Sequence, residues 1–289
     1  MEMKLAYYPG CVARSTGKEY ELSTRAVCSA LGVELEELTD WNCCGATHCS
    51  NELLAVGLAA RNLSQTDLPV MASCSICYSN LRIAVQRLED HQFRERINSV
   101  LDNKYSDSEV KHVLEVLAGA LIGEENQEKV IVPLRGLKVA PYYGCLLTRP
   151  KGGIDSPENP QILEKLISAL DGESVNHPYR MLCCGGPIFM AEEDAASESA
   201  FKILQGAKAA GADVVVAVCP LCHLMLDAKQ RALETKFKDD LNIPVLYVTQ
   251  LAGIALGLGP EDLGLDINSI SATRLVEEIY ERLAEDSEC

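Results

Sequence analysis

Apolar residues along this chain fall into short, strand-length runs separated by stretches of helical spacing, and the alternation occurs twice. In the first half "MKLAYY" reads as a strand and Lys18 to Leu31 as a helix. "VELEEL" (Val33 to Leu38) reads as a strand, "NELLAVGLAARNL" as a helix and "LPVMAS" as a buried strand. "NLRIAVQRLEDH" then places Leu81, Val85 and Leu88 at helical spacing. The second half repeats the plan: strand at "LKVAPYY", helix at "PQILEKLISAL", strand at "GESVNH". A helix over about Ala191 to Ala210, the strand "DVVVAV" and a helix from Leu221 follow. Strands alternating with helices predict βαβ units and parallel sheets, an α/β fold.

"GEENQEKVIVPLRG" (Gly123 to Gly136), polar and then broken by proline and glycine, reads as the boundary. It divides a domain at 1–130 from one at 136–289. The stretch from about His91 to Ile122 reads as a helical insertion confined to the first half. Arg274 to Asp286 reads as an amphipathic helix with no evident chemistry.

The cysteines repeat as well. Cys11, the pair Cys43-Cys44-Gly45 and Cys74-x-x-Cys77 form one set; Cys145, Cys183-Cys184-Gly185 and Cys219-x-x-Cys222 form the other. The single cysteine and the pair are separated by 31 and 37 residues, the pair and the C-x-x-C by 29 and 34. The flanks match too: "KLAYYPGC" with "KVAPYYGC", and "VMASCSIC" with "VVAVCPLC". Each cysteine group follows a predicted strand. In open parallel sheets the carboxyl ends of the strands gather along one edge, where ligands bind, so each five-thiol set is expected to converge there. Each C-x-x-C also sits where a helix begins, and free N–H groups there favour thiolates.

Composition narrows the chemistry. The chain has 289 residues, enough for two domains, and is 47% hydrophobic. No apolar run approaches the length of a membrane span. The N-terminus "MEMKLAYYPG" lacks the basic segment and apolar core of a signal peptide, which predicts a cytoplasmic, reducing location. Thirteen cysteines in such a compartment point to metal or redox chemistry rather than structural disulfides. A net charge of −16 argues against nucleic acid, and any anionic substrate would need a local basic pocket.

Five thiolates exceed the four that one tetrahedral zinc or one cubane cluster takes. Either one cysteine of each five is idle, or the cluster has a shape that uses five. Consecutive thiolates on extended backbone diverge from Cα atoms about 3.8 Å apart, which suits two atoms of a multi-iron cluster better than one small ion. The glycine after each pair permits positive φ and close approach of the cluster.

The two C…C-C-G…C-x-x-C modules resemble the duplicated CCG cysteine-rich domain of the heterodisulfide reductase B subunit, over nearly the whole chain. The resemblance implies two Rossmann-like domains, each holding a non-cubane [4Fe-4S] cluster. Cys11, Cys43, Cys44, Cys74 and Cys77 would ligate one cluster; Cys145, Cys183, Cys184, Cys219 and Cys222 the other. It further implies reduction of the coenzyme M–coenzyme B disulfide by two one-electron transfers. The implied partners are a ferredoxin-like subunit, a flavin-containing one upstream of it and, in larger complexes, a hydrogenase or formate dehydrogenase. Because those product thiols are anionic, Arg14, Lys18, Arg149 and Lys151, which follow Cys11 and Cys145, are candidate substrate contacts. His48 and His223, close in sequence to cluster cysteines, are candidate proton donors.

Other readings remain. Similar modules occur in electron-transfer subunits linked to quinones, glycerol phosphate or lactate oxidation, and fumarate reduction. This chain has no ferredoxin-type C-x-x-C-x-x-C run, so its electrons must come from a separate partner. A zinc-stabilised interaction protein would leave one cysteine of each five unexplained. Cys49 has Phe189 as its second-half counterpart and reads as a non-ligand. Cys28 reads as a packed core thiol, and Cys289 as a terminal thiol outside both sites.

Overall fold

Apolar runs such as Val214–Ala217 are buried at every position, as a parallel strand covered by helices on both faces must be. A computed structural model of the chain describes residues 3–45, 49–149 and 153–287. The first half runs β1 (Met3–Tyr8), α1 (Gly10–Ala13), α2 (Lys18–Ala30), β2 (Val33–Glu37), α3 (Glu52–Leu63) and β3 (Val70–Ala72). It continues through α4 (Ser75–Arg87), α5 (His91–Asn98), β4 (Val110–His112) and α6 (Val113–Leu121). The second half runs β5 (Lys138–Tyr142), α7 (Ile162–Ala169), β6 (Glu173–Ser174), α8 (Glu193–Ala209) and β7 (Val214–Ala217). Then come α9 (Pro220–His223), a π-helical turn (Leu224–Ala228), α10 (Gln230–Phe237), β8 (Val245–Tyr247), α11 (Val248–Ala255) and α12 (Thr273–Ser287).

The two sheets have the same order, β2-β1-β3-β4 and β6-β5-β7-β8, and every pairing is parallel. This doubly wound pattern corrects one expectation. The stretch from His91 to Ile122 is no insertion: it contains β4 and α6, which β8 and α11 match in the second half. β4 is three residues long, Val-Lys-His, too short to show a period in sequence.

The halves pack about a pseudo-two-fold axis. The helix after the first strand of each half lies against the helix after the fourth strand of the other: α2 on α11, and α7 on α6. Buried side chains tie the joint. Ser23 Oγ and Thr249 Oγ1 are 2.6 Å apart, and the Tyr20 ring stacks on Tyr247 with centroids 3.9 Å apart. Ser75 Oγ donates to the Val218 carbonyl at 2.8 Å. Ser75→Ala removes that bond across the joint, so the metal-free chain is expected to lose about 1 kcal/mol in urea unfolding. An unchanged midpoint would show that the bond contributes nothing across the joint.

Candidate metal centre

In this strand order the chain leaves β1 and β3 toward opposite sides, so a crevice opens between their carboxyl ends. The cysteines stand around it. Cys11 lies in α1 directly after β1, and Cys74 is the N-cap of α4 after β3. In the second half Cys145 follows β5 in a turn, and Cys219 is the N-cap of α9 after β7. Gly10 (φ +74°) and Gly144 (φ +68°) turn the chain tightly over the C-x-x-C. A Cβ there would lie 3.2 Å from Cys77 Sγ and 3.3 Å from Cys222 Sγ, respectively.

The adjacent pairs are pinned by two tyrosines that sequence reasoning passed over. Tyr8 Oη donates to the Asn42 carbonyl at 2.8 Å, and Tyr142 Oη donates to the Leu182 carbonyl at 2.7 Å. Both carbonyls belong to the residue just before a cysteine pair. The signal was present, since Tyr8 and Tyr142 align in the matched flanks. Burial, then the nearby thiols, push both phenols above their ordinary range, so they stay neutral donors. Asn62 adds a second clamp in the first half, accepting from Asn42 N at 2.8 Å and donating to its carbonyl at 3.0 Å.

The glycine after each pair does adopt positive φ, +85° at Gly45 and +78° at Gly185. Its close neighbour, however, is a helix. A Cβ at Gly45 would lie 3.1 Å from Ala55 Cα in α3, and one at Gly185 would lie 2.5 Å from Ala196 Cα in α8. The expectation that these glycines make room for a cluster is corrected: they let the loop sit down on the helix.

The thiols perturb one another's ionisation pairwise in an unbroken order, a sulfur line across the molecule: Cys43, Cys44, Cys77, Cys74, Cys219, Cys222, Cys184, Cys183, Cys145. The link between the halves is Cys74 to Cys219. Cys11 stands beside this line, near enough to Cys43 for their charges to interact. Two cavities flank it. One of about 290 Å³ is lined by Cys11, Cys44, Cys74 and Cys77 together with Leu221 of the opposite half. The other, about 20 Å³, is lined by all five second-half cysteines together with Ile76 of the first half. Ile76 and Leu221 are matching residues within the two C-x-x-C segments, so each half caps the other's site.

Six thiols in the line, Cys44, Cys74, Cys77, Cys184, Cys219 and Cys222, are buried. Neighbouring sulfurs (Cys44 for Cys77, Cys184 for Cys222), then burial, hold Cys77 and Cys222 well above the ordinary thiol range. Cys183 moves the other way, held down by hydrogen bonding from Cys145 and Cys184, with the Gly185 N–H and Arg149 adding to this. No lysine, arginine or histidine lines either cavity among the described residues. Thiols crowded like this cannot ionise together without a cationic group between them. The residues therefore fit a thiolate-ligated metal cluster.

Other expected site residues fall elsewhere. His223 is corrected: it is 3% exposed, 2.9 Å from the Val245 carbonyl through Nε2, and stacked on Tyr247. Burial lowers its pKa, and the ring braces the joint instead of facing the thiols. Arg14 is also corrected, because Glu21 (3.2 Å) and Glu37 engage its guanidinium. Lys18 is exposed at the start of α2, and Arg149 is exposed near Cys183. His48 and Lys151 lie outside the described residues, as does Cys289. Cys49 Sγ donates to the Asn51 carbonyl at 3.3 Å, and Cys28 is a core thiol pushed up to about 12 by burial.

No helix among the described residues is long and apolar enough to cross a membrane. The family model for the CCG cysteine-rich domain matches twice, at residues 5–82 and 139–227. The chain is 37% identical over 286 residues to the 8-methylmenaquinol:fumarate reductase membrane anchor subunit of Wolinella succinogenes, covering 95% of this chain and 100% of that one. It is 31% identical to the B subunit of the ferredoxin:CoB-CoM heterodisulfide reductase of Methanosarcina mazei, covering 96% and 97%. An Archaeoglobus profundus protein described as like the heterodisulfide reductase B subunit is 28% identical, covering 90% and 92%. In fold, the chain superposes on a hypothetical protein from Helicobacter pylori with a TM-score of 0.78 at 15% identity. That match covers 94% of this chain, which spans about half (52%) of the other.

Proposed function

The chain belongs to the CCG cysteine-rich domain family, with the domain present twice, and from that membership we propose that it is the catalytic iron–sulfur subunit of a heterodisulfide reductase-type complex. A redox role within a multisubunit oxidoreductase agrees with the names its relatives carry. The finer reading is reduction of a disulfide of the coenzyme M–coenzyme B kind to two thiols, with one non-cubane [4Fe-4S] cluster per half. Cys11, Cys43, Cys44, Cys74 and Cys77 would hold one, and Cys145, Cys183, Cys184, Cys219 and Cys222 the other. Bound there, such clusters would supply one-electron transfer.

The single observation that carries this reading is that all five cysteines of the second set line one cavity and Cys11, Cys44, Cys74 and Cys77 of the first line the other, each cavity closed by a residue of the opposite half. The protein's own part is positional. Tyr8 and Tyr142 hold the cysteine pairs over the sheet edge, and Ile76 and Leu221 shield the opposite thiols from water. Arg149 favours the thiolate at Cys183 and stands where an anionic substrate group could be met. Electrons would come from a ferredoxin-like subunit, supplied in turn by a flavin subunit.

Anaerobically purified chain is expected to carry about eight irons with equal acid-labile sulfide, the content of two four-iron clusters. One or two zincs with no sulfide would sink the redox reading. A second reading is electron exchange with a quinol- or fumarate-linked system. It is favoured by the 37% identity over the full length of the 8-methylmenaquinol:fumarate reductase subunit. Mixing the reduced chain with the heterodisulfide and with a menaquinone analogue, and asking which one reoxidises it, separates the two.

A further inference from the structure

Helix α12 is seated on the second half by Leu275, Val276 and Ile279, each buried, and by Arg282, which donates to the Arg135 carbonyl at 3.2 Å. A second stripe of the same helix, Thr273, Val276, Glu277, Tyr280 and Glu281, recurs at i, i+3, i+4, i+7 and i+8. With Pro260, Leu265 and Asp266 it lines a groove of about 480 Å³. The floor is apolar, Tyr280 and the adjacent Ile267 are exposed, and every charged lining residue is a carboxylate: Asp266, Glu277 and Glu281.

We propose that this groove is the docking site for an amphipathic helix of a partner subunit, one whose apolar stripe is flanked by Lys and Arg. Charge selects that occupant. A second copy of this chain would bring the same acidic rim and the same net charge of −16 against its own. An anionic lipid surface would be repelled by the rim as well. A basic-flanked helix instead meets an apolar floor and three carboxylates.

The position of the groove connects it to the metal centre. The wall that carries Leu265 and Asp266 continues to Asn268, whose Nδ2 is 3.3 Å from His223 Nε2, and His223 is peptide-bonded to Cys222. The same wall touches the first half, since a Cβ at Gly264 would lie 3.0 Å from Glu19 Cα. A partner docked here is linked to the backbone of the second C-x-x-C through Asn268 and His223. Its use for electron entry rests on the redox reading above; the docking itself does not.

The test uses the full chain and two synthetic fluorescent peptides that share a Leu/Ile helical stripe, one flanked by Lys and Arg and the other by Glu. The basic peptide is expected to bind, with affinity falling as salt rises, and the acidic one is not. Glu277→Lys with Glu281→Lys, both exposed, should weaken the basic peptide by about tenfold or more while leaving thermal unfolding unchanged. Equal binding of both peptides, or no effect of the double variant, overturns the proposal. So does sedimentation of the chain as a dimer that the variant abolishes, or binding to anionic vesicles. None of these readouts needs iron, so a negative result here and a negative iron analysis are separate failures.

Discussion

Cys77→Ser or Cys222→Ser is expected to remove about half of the bound iron and sulfide, one four-iron cluster of two. Electron throughput should fall by about 100-fold or more, since even changes to groups that only orient metal ligands cost about 10–100-fold. Each of these cysteines joins the adjacent pair of its half to the first cysteine of the C-x-x-C, so its loss cuts the sulfur line between the pair and the joint. Serine keeps the size but offers a hard, rarely ionised hydroxyl to a site that wants soft thiolate. The single substitutions should leave distinct signals by electron paramagnetic resonance, because each spares the other cluster. Cys28→Ser and Cys49→Ser supply the controls. Cys28 is a packed core thiol and Cys49 bonds to the Asn51 carbonyl, so neither should change the metal content. Full iron in Cys77→Ser, or lost iron in Cys49→Ser, would mean that the ligand sets are wrongly drawn.

Gly185→Ala is expected to destabilise the chain by about 3 kcal/mol, from positive φ (about 1–2 kcal/mol) and overpacking (about 1–3 kcal/mol). The new methyl would sit 2.5 Å from Ala196 Cα and 2.7 Å from its Cβ, and α8 backbone cannot rotate out of the way. The loop would lift, carrying Cys183 and Cys184 with it, and metal loss should accompany the loss of stability. Gly45→Ala meets Ala55 Cα at 3.1 Å, so its cost should be nearer the φ contribution alone, about 1–2 kcal/mol. Urea unfolding of the two variants side by side checks both numbers. Equal costs would show that backbone dihedral strain, not the helix contact, makes glycine necessary.

Much of this was legible in the chain because repeats carry their own check. Matched flanks located β1 with β5 and β3 with β7, and the cysteines at their ends predicted the edge that the structure displays. β4 escaped because a three-residue strand with a lysine at its centre has no readable period, and its partner β8 went unassigned with it. His223 was misplaced for a geometric reason. It follows Cys222 by one residue, but on a helix that step turns the side chain about 100° away, toward Val245 and Tyr247. Arg14 was misplaced because Glu37, 23 residues on, is brought beside it by β2 pairing with β1. The joint through Cys74 and Cys219 depends on how two whole domains pack, and no local pattern encodes that.

The pseudo-two-fold joint has a further meaning when its two ends are compared. Had the halves been identical chains, symmetry would have forced the same residue onto both sides of the axis. Joined in one polypeptide, they are free to differ, and they do. Ser75 stands opposite Pro220, Tyr78 opposite His223, and His112 opposite Tyr247. The sulfur line has unlike ends for the same reason, with Arg149 beside Cys183 at one end and exposed Cys11 and Cys43 at the other. Two identical chains about a true two-fold axis would present the same end twice. Duplication within a single chain gives this sulfur line two chemically distinguishable ends, so whatever meets one end does not meet its copy at the other.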